Sequence, residues 1–260
     1  MTTASGKTGK IHLVGLGPGD AQYLAPAASQ ALAESDVIVG FRAYIQQIEG
    51  LTSGKDVVSM ELGQELERAE AAVDSAYAGN TVAVVSSGDA GIYGMSGPVF
   101  RVLTDCGWDG QTPMVETVPG VSAMQAAAAV LGSPLMQDFC AISLSDLLTP
   151  WAKIRGRLEA AGQGDFVVAL YNPRSQRRQT QLLEAQEILL KHRPGDTPVG
   201  IVGDAFRPGQ RVKITSLQDL EKDAESVDMV TIVVIGNSTT YLHSGKVITP
   251  RGYEEKTRAR

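Results

Sequence analysis

Two short apolar runs in the first half of the chain, Ile11 to Val14 and Thr81 to Val85, and a third strand-like run, Val115 to Val118, each empty into a loop of small residues. The loops are Gly15 to Asp20, Ser86 to Gly94 and Pro119 to Ala123. Strands that are apolar on both faces belong to parallel sheets covered by helices on both sides. The intervening sequence supplies those helices: Ala25 to Ala33, the face made by Leu66, Ala69, Ala72, Val73 and Ala76, and Val99 to Leu103. Val37 to Val39 adds a further strand. In such a fold ligands bind beyond the carboxyl ends of the strands, where all three loops lie.

A helical, alanine-rich segment from Val121 to Leu131 is interrupted by Gly132-Ser133-Pro134, and a new strand-like run follows at Phe139 to Leu144. This places a domain boundary there, giving domains 1–134 and 138–260. The second half reads as a helix from Trp151 to Ala161, a strand from Phe166 to Tyr171, a helix through Leu182, Leu183, Ile188 and Leu189, and strands at Val199 to Val202 and Val230 to Ile235. Arg211 to Thr215 is expected as an antiparallel strand. A chain of 260 residues with 43% apolar content can build two such cores. The expected class is α/β, with two α/β domains and mostly parallel, mixed sheets. Residues 1–9 and 254–260 read as loose termini.

A net charge of -6 argues against nucleic acid as a partner, since phosphates reward a broad positive field. A small anionic ligand needs only local arginines, and Arg174, Arg177 and Arg178 form one cluster. No run of about 18 apolar residues occurs, so no membrane partner is expected and the protein is read as cytoplasmic. Cys106 and Cys140 are too few for a disulfide framework or a thiolate metal site. They read as buried packing thiols, and no metal site is expected.

The first loop carries Gly15, Gly17 and Gly19, whereas a dinucleotide fingerprint places its third glycine three positions after the second. Pro18 has no N–H to offer a pyrophosphate, and Asp20 sets a carboxylate where phosphate would sit. No Gly-Lys-Ser/Thr of a phosphate-binding loop follows. Asp20 also reads simply as a helix cap. A neutral or cationic ligand laid against bare backbone suits the three loops together.

These residue sets resemble the tetrapyrrole methylase family over nearly the whole chain. That resemblance implies S-adenosylmethionine bound between two α/β domains, with Pro18, Ser87, Gly88, Asp89, Ile92, Ser122 and Ala123 lining its pocket. Asn172, Gly203, Val230 and Thr231 are implied from the second domain. The family's usual tripeptide is Gly-Gly-Asp, so Ser87 departs from it. Asp138 to Trp151, Tyr171 to Ser175 and Thr249 to Tyr253 resemble the branch that methylates carbon 17 of precorrin-3B or cobalt-factor III and contracts the macrocycle during cobalamin biosynthesis. The wording of Ser86 to Met95 and Gly236 to Tyr241 leans toward the cobalt-factor III side. A homodimer is implied by the family. The alternatives are another methylase of the family, acting on a different carbon or a diphthamide-type protein, and a tetrapyrrole-binding protein without turnover.

Methyl transfer from a cationic sulfur to carbon asks for positioning and water exclusion more than for a strong side-chain nucleophile. Ring contraction also moves protons, for which Tyr93, Ser145 and Asp146 are the catalytic candidates. Ser145-Asp146 before an apolar pair equally reads as a helix cap. Arg174 is the candidate to hold a substrate carboxylate. Leu147, Leu148, Trp151, Met95 and Met136 are candidate apolar walls for the macrocycle, with core packing as the plain alternative for each. His12, His192 and His243 are left without a role at the site.

Overall fold

The computed structural model describes residues 8–253, so the expectation of loose termini falls, for residues 1–7 and 254–260, outside the described residues. The chain divides into two compact units, Met1–Ala123 and Met124–Arg260.

In the first unit the strands are β1 (Lys10–Gly15), β2 (Val37–Phe41), β3 (Asp56–Met60), β4 (Thr81–Ser86) and β5 (Met114–Val118). The helices are α1 (Pro26–Glu34), α2 (Arg42–Gln47), α3 (Glu65–Tyr77) and α4 (Ser96–Asp105). Pro26 opens α1, where its missing N–H costs nothing, and Glu65 and Glu67 favour the positive end of α3. All five strands are parallel, in the order β3-β2-β4-β1-β5. Alternation sends Ile11, Leu13, Val82 and Val84 to a face packed by α3 and α4. Val14, Ala83 and Val85 go to the other face, under Ala28, Ala31 and Leu32 of α1.

That two-faced arrangement sets where the sheet can open a crevice. The connection leaving β1 carries α1 on one face, the connection leaving β4 carries α4 on the other, and β1 and β4 are neighbours. Adjacent strands whose connections diverge leave a crevice at their carboxyl ends. The pattern of the sequence did not reveal α2, which buries no residue, or β3, an edge strand whose Val57 is exposed. Against the expectation of two buried packing thiols, Cys106 is exposed where α4 ends and Cys140 is only half-buried.

The second unit takes α5 (Ala123–Leu131) almost entirely. Its first-turn amide at Met124 donates to Tyr171 Oη at 3.1 Å, and Leu131 packs on Gly200 so closely that a Cβ there would lie 2.5 Å from Leu131 Cδ2. The other elements are β6 (Gly132–Ser133), β7 (Phe139–Ser143), α6 (Trp151–Gln163), β8 (Val167–Tyr171), α7 (Gln181–Leu190), β9 (Pro198–Gly203), β10 (Arg211–Ser216), α8 (Leu220–Asp223), β11 (Thr231–Ile235), β12 (Tyr241–His243) and β13 (Lys246–Ile248). The main sheet has the order β10-β9-β11-β8-β7. β7 and β8 run parallel, while β11 runs against both β8 and β9, and β10 against β9. The expected antiparallel strand at Arg211 is thus present. β12, β13 and β6 form a small separate sheet. Ile154 and Leu158 of α6 with Leu182, Ile188 and Leu189 of α7 build the core over the main sheet. Arg193, buried beneath it, donates to the carbonyls of Gly236, Ala161 and Phe166.

Because β11 is reversed, the ends of β7, β8 and β9 share one sheet edge with the starts of β10 and β11. Among the described residues no helix is long and apolar enough to cross a membrane.

Candidate functional site

In the first unit three strand exits are stitched together by main chain. Gly17 and Gly88 exchange hydrogen bonds at 3.0 and 2.8 Å, bridging the loops after β1 and β4. Both adopt φ near 70° (71° and 68°), a region that a Cβ disfavours. The exit of β5 closes on the same point: a Cβ on Gly15 would stand 2.6 Å from Gly120 N and 2.7 Å from Gly88 O. Asp89 locks the arrangement, since its Oδ1 accepts from Gly91 N–H at 2.8 Å and its Oδ2 from Gly120 N–H at 3.0 Å. Ser86 Oγ accepts from Met95 N–H at 3.0 Å, holding the far end of the loop where α4 begins. Pro18 is buried at the edge of this junction, and Asp20 caps the short 3-10 turn Ala21–Tyr23 through Gln22 N–H. The result is a surface of packed backbone with one carboxylate at its centre.

The exit edge of the second unit is more polar. Asn172, directly after β8, is held at φ 50° and donates from Nδ2 to Ser143 Oγ at 3.0 Å; the same oxygen accepts from Ser145 N–H at 3.2 Å. Arg178 Nε donates to the Asn172 carbonyl at 2.8 Å. Asp146 Oδ2 accepts from Gln181 Nε2 at 2.8 Å, with Oδ1 4.0 Å from Arg178 Nη1. Burial holds the Arg178 guanidinium below its ordinary pKa, and Asp146 works against that. At the β9 and β11 ends, Thr231 Oγ1 and Val230 N–H both donate to Asp228 Oδ1, at 2.7 and 3.1 Å. Asp228 Oδ2 accepts from Arg211 Nη2 at 2.7 Å. Although burial alone would raise its pKa, the bonds from Thr231 and Arg211 hold the Asp228 carboxyl below the usual range. A cavity of about 190 Å³ opens beside Gly203, Arg211, Ser226 and Thr231.

Residues 10–221 match the family of Tetrapyrrole (Corrin/Porphyrin) Methylases. The chain belongs to that family. It is 48% identical over 249 residues to the cobalt-factor III methyltransferase of Priestia megaterium, covering 95% of this chain and 46% of that protein, so it spans less than half of that relative's length. It is 44% identical to the probable cobalt-factor III C(17)-methyltransferase of Salmonella typhimurium, over 94% of this chain and 99% of that one. The crystal structure of the methyltransferase CobJ shares its fold with a TM-score of 0.88 at 37% identity, covering 94% of this chain and all of the other.

Within this tetrapyrrole methylase the expected first-domain residues Pro18, Ser87, Gly88, Asp89, Ser122 and Ala123 gather at one junction: a Cβ on Gly88 would meet Ala123 N at 3.4 Å and Ser122 Cα at 3.6 Å. Ile92 and Tyr93 stand on the exposed rim of the β4 loop, Tyr93 at φ 54°. Asn172, Gly203, Val230 and Thr231 share the exit edge of the second sheet.

Other expectations are met by different surroundings. Met95 is enclosed in the first core, because α4 starts at that point and turns the side chain inward; it forms no open wall. Trp151 packs on the second core and donates from Nε1 to Glu184 at 2.7 Å. Arg174 donates from Nη1 to the Ala224 carbonyl at 2.5 Å, so its guanidinium is engaged inside its own unit. Asp146 caps no helix, since α6 begins five residues later behind Pro150. Leu147 and Leu148 are 76% and 92% exposed, and Met136 is 45% exposed. The sequence reading missed Gln181 and the anchoring of Arg178. The Arg174, Arg177, Arg178 cluster was the only signal for either.

Proposed function

We propose that the chain is an S-adenosylmethionine-dependent methyltransferase that methylates carbon 17 of cobalt-factor III, or of precorrin-3B, with contraction of the macrocycle in cobalamin biosynthesis. The observation that carries this reading is the backbone-walled junction of Gly15, Gly17, Gly88 and Gly120 in a chain of this family. Its chemistry fits the cofactor. A pyrophosphate would find no N–H at Pro18, amides of Gly17 and Gly88 already spent on each other, and a carboxylate at Asp89. A cationic, flat nucleoside is favoured by the same features.

When bound, S-adenosylmethionine supplies an electrophilic methyl group on a cationic sulfur. The residues of the chain act by holding and shielding: Ser87, Gly88, Ser122 and Ala123 offer close backbone approach, and the Asp89 carboxylate offsets positive charge nearby. In-line displacement then depends on alignment and dryness. The Tyr93 hydroxyl, on a strained and exposed residue, and Ser145 are the groups proposed to hold or move a proton at substrate oxygens. Cobalt-factor III is preferred over precorrin-3B because the two relatives named above are named for it. A homodimer is proposed with the activity, and sedimentation equilibrium tests it.

The deciding experiment incubates the purified chain with methyl-labelled S-adenosylmethionine and each tetrapyrrole in turn. Transfer of one methyl with the mass and spectrum of a ring-contracted product supports the reading. Tetrapyrrole binding without label transfer, beside an active control enzyme, overturns it.

A further inference from the structure

We propose that Arg178 is the residue that receives a peripheral carboxylate of the tetrapyrrole, with the Asn172 carbonyl fixing its guanidinium and Gln181 holding Asp146 off its fork. This rests on the tetrapyrrole reading above, and goes beyond it by naming the anchor. Three observations carry it.

The first is placement. Arg178 is 7% exposed, its backbone is closed on Ser175 by bonds of 3.0 and 3.2 Å, and its Nε is tied to the carbonyl of Asn172 at the exit of β8. The fork is therefore fixed at the sheet edge before any ligand arrives, which removes most of the entropy cost of ordering a long side chain.

The second is unspent charge. A guanidinium carries five N–H donors, and Nε is the one with a hydrogen bond among the described residues. The nearest carboxylate oxygen, Asp146 Oδ1, stands 4.0 Å from Nη1, beyond hydrogen-bond reach. Asp146 is kept from closing that gap by Gln181, which holds its other oxygen at 2.8 Å. A buried cation with open donors is stabilised by an anion placed on its fork. Arg174, the candidate that the sequence suggests for this role, already donates to the Ala224 carbonyl.

The third is the adjoining surface. Leu147 and Leu148 follow Asp146 directly and are the most exposed large apolar residues described. An exposed apolar pair beside an open guanidinium matches a flat macrocycle whose rim bears acetate and propionate groups.

The test uses the whole chain and uroporphyrin III, a tetrapyrrole with only acetate and propionate side groups, titrated by fluorescence quenching at low and high salt. Calorimetry with S-adenosylhomocysteine runs in parallel. Arg178→Gln is expected to weaken porphyrin binding about tenfold or more, the loss of a bidentate charged contact, and to flatten its salt dependence. Arg178→Lys should recover only part of that affinity, because an ammonium cannot form the fork. Asp146→Asn, which removes the competing negative charge but keeps an oxygen for Gln181, should tighten porphyrin binding severalfold. Affinity for S-adenosylhomocysteine should stay within about twofold throughout. Porphyrin affinity unchanged in Arg178→Gln, or porphyrin and S-adenosylhomocysteine affinity lost together, overturns the inference. A wild-type chain that methylates while Arg178→Gln binds normally overturns this inference alone; a wild type that neither binds nor transfers sinks the methyltransferase reading as well.

Discussion

Asp89 offers the sharpest division between a residue that serves a ligand and one that holds the fold. Its two oxygens take the amides of Gly91 and Gly120, so replacing it by alanine removes two bonds to a charged acceptor from the ligand-free protein. The two losses differ in size. Water can reach the exposed Gly91 amide, which limits that term to about 0.5 to 1 kcal/mol. The Gly120 amide is half-buried against the main chain of Gly15 and Gly88, which leaves water less room than at Gly91, so its term is about 1.5 to 3 kcal/mol. Asp89→Ala should therefore destabilise the first unit by about 2 to 4 kcal/mol. Asp89→Asn, with one acceptor oxygen left, should fall between. The chain has two tryptophans, Trp108 packed on the first core and Trp151 on the second. In a Trp151→Phe background, urea unfolding followed by fluorescence reads the first unit through Trp108 alone, which avoids treating two units as one transition. The Trp108 midpoint should drop in Asp89→Ala. In the reciprocal Trp108→Phe background, the Trp151 midpoint should hold. An unmoved Trp108 midpoint, together with lost S-adenosylhomocysteine affinity, would refute the brace and make Asp89 a direct ligand group.

Gly120→Ala would push a Cβ into the Gly88 carbonyl and to 2.8 Å from Gly15 C, all backbone that cannot swing away; a cost of at least about 2 kcal/mol on the same Trp108 transition is expected, and a neutral result would mean the junction is looser than its geometry. Tyr171→Phe strips the buried Met124 amide of its acceptor at the start of α5, for a loss of about 1 to 3 kcal/mol read through Trp151. His12, buried in β1, is held below its ordinary pKa of 6.5 by burial and then by Lys10, while Glu116 and Glu34 pull the other way. The unfolded chain thus binds the proton more readily, so this contribution is complete above pH 6.5 and is lost as pH falls through 6.5 toward the folded value. His12→Leu should flatten the acid-side decline of the Trp108 midpoint, and an unchanged profile would exclude His12 as its source.

Much of this fold was legible because its signals are local. Val14 and Val85, or Leu13 and Val84, announce strands buried on both faces, and the spacing of Ala69, Ala72, Val73 and Ala76 announces the helix beside them. The glycine loops were readable for the same reason, and Pro18 and Asp20 removed the phosphate alternatives on chemistry alone. What stayed hidden depends on partners far away in sequence. Met95 reads as an apolar wall until α4 turns it into the core, and nothing near Asp146 announces Gln181. Reversal of β11, which brings Thr231 beside Gly203, likewise leaves no mark in a run of five buried residues. Asp89 and Arg178 make the point together. Each is a charged residue in the loop that follows a strand, and sequence alone gives both the same freedom to meet a ligand. In the fold, both oxygens of Asp89 already face N–H groups, one of them 31 residues away, whereas the Arg178 fork keeps its outer donors open. Substitution at Asp89 should therefore register first as stability and substitution at Arg178 first as affinity.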